Sequence, residues 1–122
     1  MIQSNSNVLA VRFTCANTID KGDVVEITTD NTVAAVSGAS AKIVGVVESY
    51  VYGATECVVN TRFRERRDDR VAGENFAACA PFYFGASNKV YLWENGTDDP
   101  ETIGGLVIKI GDADETVETL EF

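Results

Sequence analysis

Apolar and polar residues alternate along much of the chain with the two-residue period of a β-strand. In the segment Val8–Cys15, the apolar side chains of Leu9, Val11 and Phe13 fall on one face and the intervening residues fall on the other. Successive side chains of a strand point to opposite faces of a sheet. The alternation therefore predicts a strand with one buried face.

Short apolar runs recur to the end of the chain and are separated by turn residues. Asp30 and Asn31 suit the central positions of a tight hairpin, where a positive φ is needed. Ile43–Val51 is almost continuously apolar and rich in β-branched residues, which predicts a central strand covered on both faces. The other predicted strands are the segment around Val25 and Ile27, then Thr32–Val36, Glu56–Arg64, Phe76–Phe84 with an interruption at Pro81, Lys89–Trp93, Ile103–Ile110 and Glu115–Phe122.

These segments predict an all-β fold, a small antiparallel β-barrel or sandwich with long loops and no helix longer than two turns. The most polar segment, Arg66–Asn75, is predicted to be a long exposed loop. Residues 1–7 are predicted to form a flexible N-terminal arm, and residues 8–122 a single β domain. Ile43–Val47 and Ile103–Val107 are alike in sequence, but one short echo gives only weak support for a repeat.

Size and charge narrow the functional classes. A chain of 122 residues, 45% of them hydrophobic and 24% charged, fits one globular domain. Its net charge of −9 would repel phosphates, which argues against binding to nucleic acid.

No apolar run has the roughly 18 residues of a membrane helix. The first seven residues lack the basic and apolar regions of a signal peptide, so we expect synthesis in a cytoplasm and no membrane partner.

The residues that usually carry catalysis are scarce. The chain has no histidine, which removes the usual general base, the commonest metal ligand and every Ser-His or Cys-His nucleophile. Cys15, Cys57 and Cys79 are far apart and lie in apolar stretches, so buried free thiols are predicted rather than disulfides or zinc ligands.

Acidic clusters are the remaining candidates for chemistry. One contains Asp98, Asp99 and Glu101, and another contains Asp112 and Asp114 with the glutamate that follows. Either could bind calcium loosely, but neither has the spacing of an EF-hand loop, and solvated turns are the favoured interpretation. We therefore expect no catalytic centre, no cofactor and no metal site.

The basic residues are unevenly distributed. Half of them lie within nine positions of a chain that is otherwise acidic, and these are Arg62, Arg64, Arg66, Arg67 and Arg70. One interpretation is a solvated strand end whose arginines pair with their own acidic neighbours. The other is a contact surface for a neighbouring subunit or a larger acidic surface, since arginine pairs with carboxylates bidentately and keeps its charge when desolvated. On the second interpretation the predicted contact residues are Arg62, Arg64, Arg66 and Arg67.

Several segments resemble, in order along the chain, the decoration (cement) proteins that bind the outside of tailed-phage capsids. The opening hairpin Ala16–Val25 contains the run Asp20-Lys21-Gly22-Asp23. The similarity continues with Ile43–Glu48, Tyr52-Gly53, Val71–Glu74 and Gly111–Leu120, so that it covers most of the chain. The segment Arg62–Arg70 and the stretch around Cys79-Ala80-Pro81 depart from the family pattern.

The resemblance implies a compact β-barrel that binds the exterior of an assembled head and stabilises contacts between capsomers. It implies the major capsid protein as partner, self-association as a homotrimer, and a location on the virion after synthesis in the host cytoplasm. We also expect the arm, including Met1, Ile2 and Gln3, to order on the capsid.

Two other interpretations remain open. One is a virion-displayed β-sandwich that binds carbohydrate or a host surface, which an exposed Trp93 or Tyr91 in a groove would favour. The other is a carrier barrel similar to biotinyl domains, which would need a lysine at a hairpin tip between matched halves. None of Lys21, Lys42, Lys89 and Lys109 has that context.

Overall fold

The structure is a computed structural model that describes residues 10–15, 19–51, 55–61 and 66–121, without the side chains of Tyr50 and Val51. Within these residues the regular structure is β-strand apart from short 3-10 turns at Ala86–Asn88 and Pro100–Thr102. The strands are β1 (Ala10–Cys15), β2 (Val24–Thr29), β3 (Thr32–Ala35), β4 (Ile43–Val51), β5 (Glu56–Asn60), β6 (Arg66–Ala72), β7 (Pro81–Phe84), β8 (Lys89–Leu92), β9 (Gly105–Lys109) and β10 (Thr116–Glu121). The prediction of an all-β fold is confirmed. Across the described residues, no helix is long and apolar enough to span a membrane.

The chain divides into two compact units, and the first contains β1 to β5. Its strands close into a barrel in the order β1-β3-β2-β4-β5. The pairing of β1 with β3 is parallel, and the other pairings are antiparallel. Asn31, at the β2–β3 turn, has the predicted positive φ, 52°, whereas the prediction is wrong for Asp30, whose φ is not positive.

The core of the first unit consists of the inward side chains that the period-two pattern marks. Val25, Cys57 and Val59 have no exposed surface, and Val47 has 1%. They belong to a cluster that also contains Cys15, Ile19 and Val33. The predicted alternation on β1 and β5 is confirmed over the described residues, since burial alternates along both strands.

The second unit contains β6 to β10, which close into a second barrel in the order β10-β6-β8-β7-β9. Its core is more aromatic, with Phe76, Phe82 and Phe84 at most 3% exposed. The rings of Phe82 and Phe84 meet edge to face with centroids 5.2 Å apart. The strand predicted over Phe76–Phe84 forms only from Pro81, because proline donates no backbone hydrogen bond and starts a strand more readily than it continues one.

The predicted loop over Arg66–Asn75 is wrong for its first seven residues, because Arg66–Ala72 is strand β6. β6 pairs with β10 on one side and with β8 on the other. One of its two buried positions is occupied by Arg70, which is 3% exposed, where alternation would place an apolar residue. The hydrophobic pattern did not predict this strand, because a charged residue occupies a buried position.

Two predictions about domain organisation have different outcomes. The N-terminal arm, residues 1–7, lies outside the described residues. The single β domain over 8–122 stays a prediction; the described residues form two compact units, each with its own closed sheet.

Candidate functional site

Of the predicted contact residues, the structure describes Arg66 and Arg67, both at the start of β6. Met1, Ile2, Gln3, Arg62 and Arg64 lie outside the described residues. The preceding strand, β5, ends at Asn60, so Arg66 belongs to a new strand rather than to a continuation of the predicted Glu56–Arg64 strand.

Arg66 lies on the outer surface of the second barrel, where its side chain is 70% exposed. Its Nη2 donates to Glu118 Oε1 on the neighbouring strand β10 over 2.7 Å. Lys109 Nζ on β9 lies 3.8 Å from the other carboxylate oxygen of Glu118. The hydrogen bond from Arg66 is the main reason that the pKa of Glu118 lies below its usual range. One carboxylate therefore hydrogen-bonds Arg66 and lies within ion-pair distance of Lys109.

Arg67 is fixed within its own strand. Its Nε and Nη2 donate to the two carboxylate oxygens of Asp69 over 2.9 and 2.8 Å, a bidentate pair that lowers the pKa of Asp69. An open groove of about 350 Å³ is lined by Arg66, Arg67, Asp68 and Glu118. We call these four residues the charged groove. Arg67 pairs with an acid of its own segment, as the first interpretation of the arginine segment predicts, yet the groove is open to solvent, as the second requires.

Arg70 has a different role from its neighbours because it is inside the barrel. Its Nε and Nη2 donate to Glu121 Oε2 and Oε1 over 2.7 and 3.0 Å, and Thr119 Oγ1 donates to Glu121 Oε2 over 2.9 Å. The Arg70 guanidinium also lies over the ring of Phe84, 5.1 Å from its centroid. Both charged side chains are at most 4% exposed, so this pair belongs to the core and cannot contact a partner.

An apolar surface lies beside the charged groove, and the sequence reasoning did not single it out. Its members are the large exposed aliphatic side chains Leu106 (38% exposed), Ile108 (38%), Ile110 (47%) and Leu120 (44%). We call these four residues the β9–β10 face.

The strand register makes this face continuous with the charged groove. Leu106 is paired directly with Leu120, and Leu120 is paired on its other side with Arg66. Directly paired side chains on one face of a sheet lie about 5 Å apart. An apolar row therefore runs across β9 and β10 and ends at the arginine, which is the arrangement of an apolar interface centre with a polar rim.

A signal for this face was present in the sequence. Ile103–Ile110 is apolar at Leu106, Ile108 and Ile110 as well as at Val107, and each strand of a small barrel buries only one face. A strand with apolar residues at both odd and even positions must expose one of the two sets to solvent, unless another layer covers that face.

The aromatic residues of the second unit do not favour the carbohydrate-binding alternative. Trp93 is half-buried, and its Nε1 donates to the backbone oxygen of Asp99 over 2.9 Å and to Thr102 Oγ1 over 3.2 Å. Tyr91 stacks on Tyr83 with ring centroids 5.6 Å apart. These contacts tie the aromatic side chains to the barrel.

The cysteines follow the prediction in two cases of three. Cys15 and Cys57 are buried free thiols, and burial, followed by a hydrogen bond with Cys15 that favours the neutral thiol, raises the pKa of Cys57 to about 12. The prediction is wrong for Cys79, which is exposed, because the apolar stretch around it is a bend before β7 and not a strand.

The acidic clusters take part in turns. Asp98 Oδ2 accepts from the backbone N–H of Glu94 over 2.8 Å, and Asp114 pairs with Lys89 over 2.6 Å. Among the residues that the structure describes, no group of three or more His, Cys, Asp or Glu side chains converges as a metal site would require.

No protein-family model matches the chain, and no curated protein matches it.

Proposed function

We propose that the protein is a non-catalytic capsid decoration protein that binds the exterior of an assembled tailed-phage head and stabilises contacts between capsomers. Its partner in this proposal is the major capsid protein, and its own copies associate, as a homotrimer, on the virion surface. The observation that carries the proposal is the β9–β10 face beside the charged groove, displayed on a closed barrel. The sequence resemblance supports the choice of partner.

A closed barrel suits a protein whose role is attachment. All strands of the second barrel are paired on both sides, so it offers no open edge and loses little conformational freedom on binding. Of the charged residues beside the face, Arg66 is oriented by its hydrogen bond to Glu118 on the neighbouring strand. Such a surface is ready to bind without a prior rearrangement.

The size of the β9–β10 face indicates how the binding would work. Complete burial of one leucine or isoleucine is worth about 1.5–3 kcal/mol, so side chains already more than half-buried offer about 1 kcal/mol each. Four of them supply about 2–5 kcal/mol, against roughly 4–15 kcal/mol of lost translational and rotational freedom. One copy would bind weakly, whereas linked copies would bind tightly, since each later contact is intramolecular.

Co-sedimentation tests the proposal. The probe is an expanded capsid assembled from the major capsid protein of the same phage genome, without its decoration protein. We expect saturable binding that weakens as salt rises, and a smaller salt dependence when Arg66 and Arg67 are both replaced by alanine. Absence of wild-type binding at micromolar concentration would contradict the proposal. Light scattering of the free protein measures whether it is already a trimer in solution.

A further inference from the structure

The two barrels have the same topology, strand for strand. In each, the first and third strands pair in parallel, and the second strand pairs with the third and the fourth. In each, the fifth strand pairs antiparallel with the fourth and the first, which closes the barrel. A single parallel pairing in a five-stranded barrel of otherwise antiparallel strands is a specific arrangement, and it occurs twice in one chain.

The correspondence extends to single residues. The parallel pair Cys15–Val33 corresponds to Ala72–Val90, and the same number of residues separates each member from its counterpart. The same spacing relates Asn31 to its counterpart at position 88, and both have a positive φ, of 52° and 59°.

The fourth and fifth strands correspond as closely. A Cβ on Gly45 would collide with the backbone oxygen of Asn60, and a Cβ on Gly105 would collide with that of Leu120. In both pairs the glycine and the residue that its Cβ would meet are separated by the same number of positions along the chain.

Each barrel also has a register irregularity at the same place between its fourth and fifth strands. In the first barrel it lies at Glu48, between Val47 and Ser49. In the second it lies at Ile108, between Val107 and Lys109. Bulges are specific features of a strand pair, so their coincidence is a further sign that the two barrels are copies.

The copies differ on the surface that the proposed function uses. Leu106, Ile108 and Leu120 are exposed apolar residues in the second barrel. Their counterparts in the first barrel are Val46, which is 7% exposed, and the half-buried polar residues Glu48 and Asn60. The common core of the two copies does not require an exposed apolar face at these positions, since the first barrel closes without one.

We infer that the chain is a tandem duplication of one five-stranded barrel, and that the second copy alone carries the capsid-binding face, with Ile108 at its centre. The inference rests on the proposed function and assigns its contact to particular residues. The occupant is a repetitive protein shell rather than a free second copy. A stable dimer needs about 800 Å² of buried surface on each partner, which is more than four partly exposed aliphatic side chains supply.

The duplication supplies a matched pair of variants. Ile108→Glu gives the second barrel the glutamate that the first barrel has at the equivalent bulge. Glu48→Ile makes the converse change and gives the first barrel the isoleucine of the second. Ile110→Glu is a second test of the face at a more exposed position. Each purified full-length variant is first compared with the wild type by circular dichroism and thermal melting, and then titrated against expanded capsids in the co-sedimentation assay.

We expect Ile108→Glu and Ile110→Glu to weaken capsid binding at least tenfold, and Glu48→Ile to leave it within twofold. If the wild type binds the capsid and all three variants bind it with the wild-type affinity, the inference is overturned. The proposed function would then still stand. Failure of the wild type to bind would overturn both. A solution oligomer that Ile108→Glu abolishes while capsid binding persists would place a second copy on the face, and that too would overturn the inference.

Discussion

The ion pair inside the second barrel gives the sharpest test of how this fold is stabilised. Arg70 and Glu121 are joined by two hydrogen bonds of 2.7 and 3.0 Å, and both side chains are at most 4% exposed. Replacing Glu121 with glutamine keeps the shape of the side chain but leaves the guanidinium charge without a counterion in the core. Thr119 also loses a charged acceptor for its hydroxyl.

The expected cost is large compared with the stability of a small protein. Breaking a buried ion pair by removing one partner costs about 3–5 kcal/mol, because the remaining charge is desolvated without compensation. Native domains are stable by only about 5–15 kcal/mol, so Glu121→Gln should bring the second unit close to unfolding. With a urea m-value of about 1–3 kcal/mol/M, the unfolding midpoint should fall by about 2 M.

Urea titration monitored by tryptophan fluorescence measures this effect, because Trp93 is the only tryptophan and lies in the second unit. Glu118→Gln is the matched control, since it neutralises a glutamate of the same strand whose partner Arg66 is exposed, and it should leave the midpoint nearly unchanged. The double variant Arg70→Met with Glu121→Leu should recover most of the loss, because an apolar pair leaves no uncompensated charge. A fall of less than about 0.5 M for Glu121→Gln would refute the reasoning.

Three further predictions concern a surface pair, a packing constraint and the thiols. Because the hydrogen bond from Arg66 lowers the pKa of Glu118, this pair should persist above the ordinary carboxyl pKa and be lost as the pH falls through the depressed value. A carbon-13 NMR titration checks this, and Arg66→Ala should return the pKa of Glu118 to the ordinary range. Gly105→Ala and Gly45→Ala should each destabilise their own barrel by about 2 kcal/mol or more, since the new methyl group meets backbone of the neighbouring strand; proteolysis followed by mass spectrometry locates the opened unit, and tolerance of either change would contradict the packing. In native buffer a thiol reagent should label Cys79 rapidly and the two buried cysteines only after denaturation, whereas three equal rates would contradict their burial.

The sequence predicted the elements whose signal is local. The bounds of Ile43–Val51 agree with β4, and the positive φ of Asn31 follows from its hairpin position. In both cases the pattern of neighbouring residues is sufficient, because β-branched runs and turn residues act over a few positions.

Features that depend on partners distant in the chain were missed. β6 can bury the charge of Arg70 because Arg70 meets Glu121, 51 positions away, and that compensation cannot be recognised from Arg66–Ala72 alone. The parallel pairing in each barrel likewise joins strands that are not consecutive. The resemblance between Ile43–Val47 and Ile103–Val107 was weak in sequence, although these segments occupy equivalent places in the two barrels.

The candidate surface was predicted in part. The density of arginines pointed to the region of Arg66 and Arg67 but did not separate these surface residues from the buried Arg70. The β9–β10 face escaped notice because an apolar strand residue is expected in the core unless the topology shows which side faces outward.

Hydroxyl-radical footprinting of the protein, free and bound to expanded capsids, tests the central claim most directly, because it reads the solvent exposure of individual aliphatic side chains. We predict that capsid binding protects Leu106, Ile108, Ile110 and Leu120 from oxidation, while the buried residues stay unreactive in both states. Oxidation of these four side chains at the same rate in the free and the bound protein would contradict the claim that this face binds the capsid.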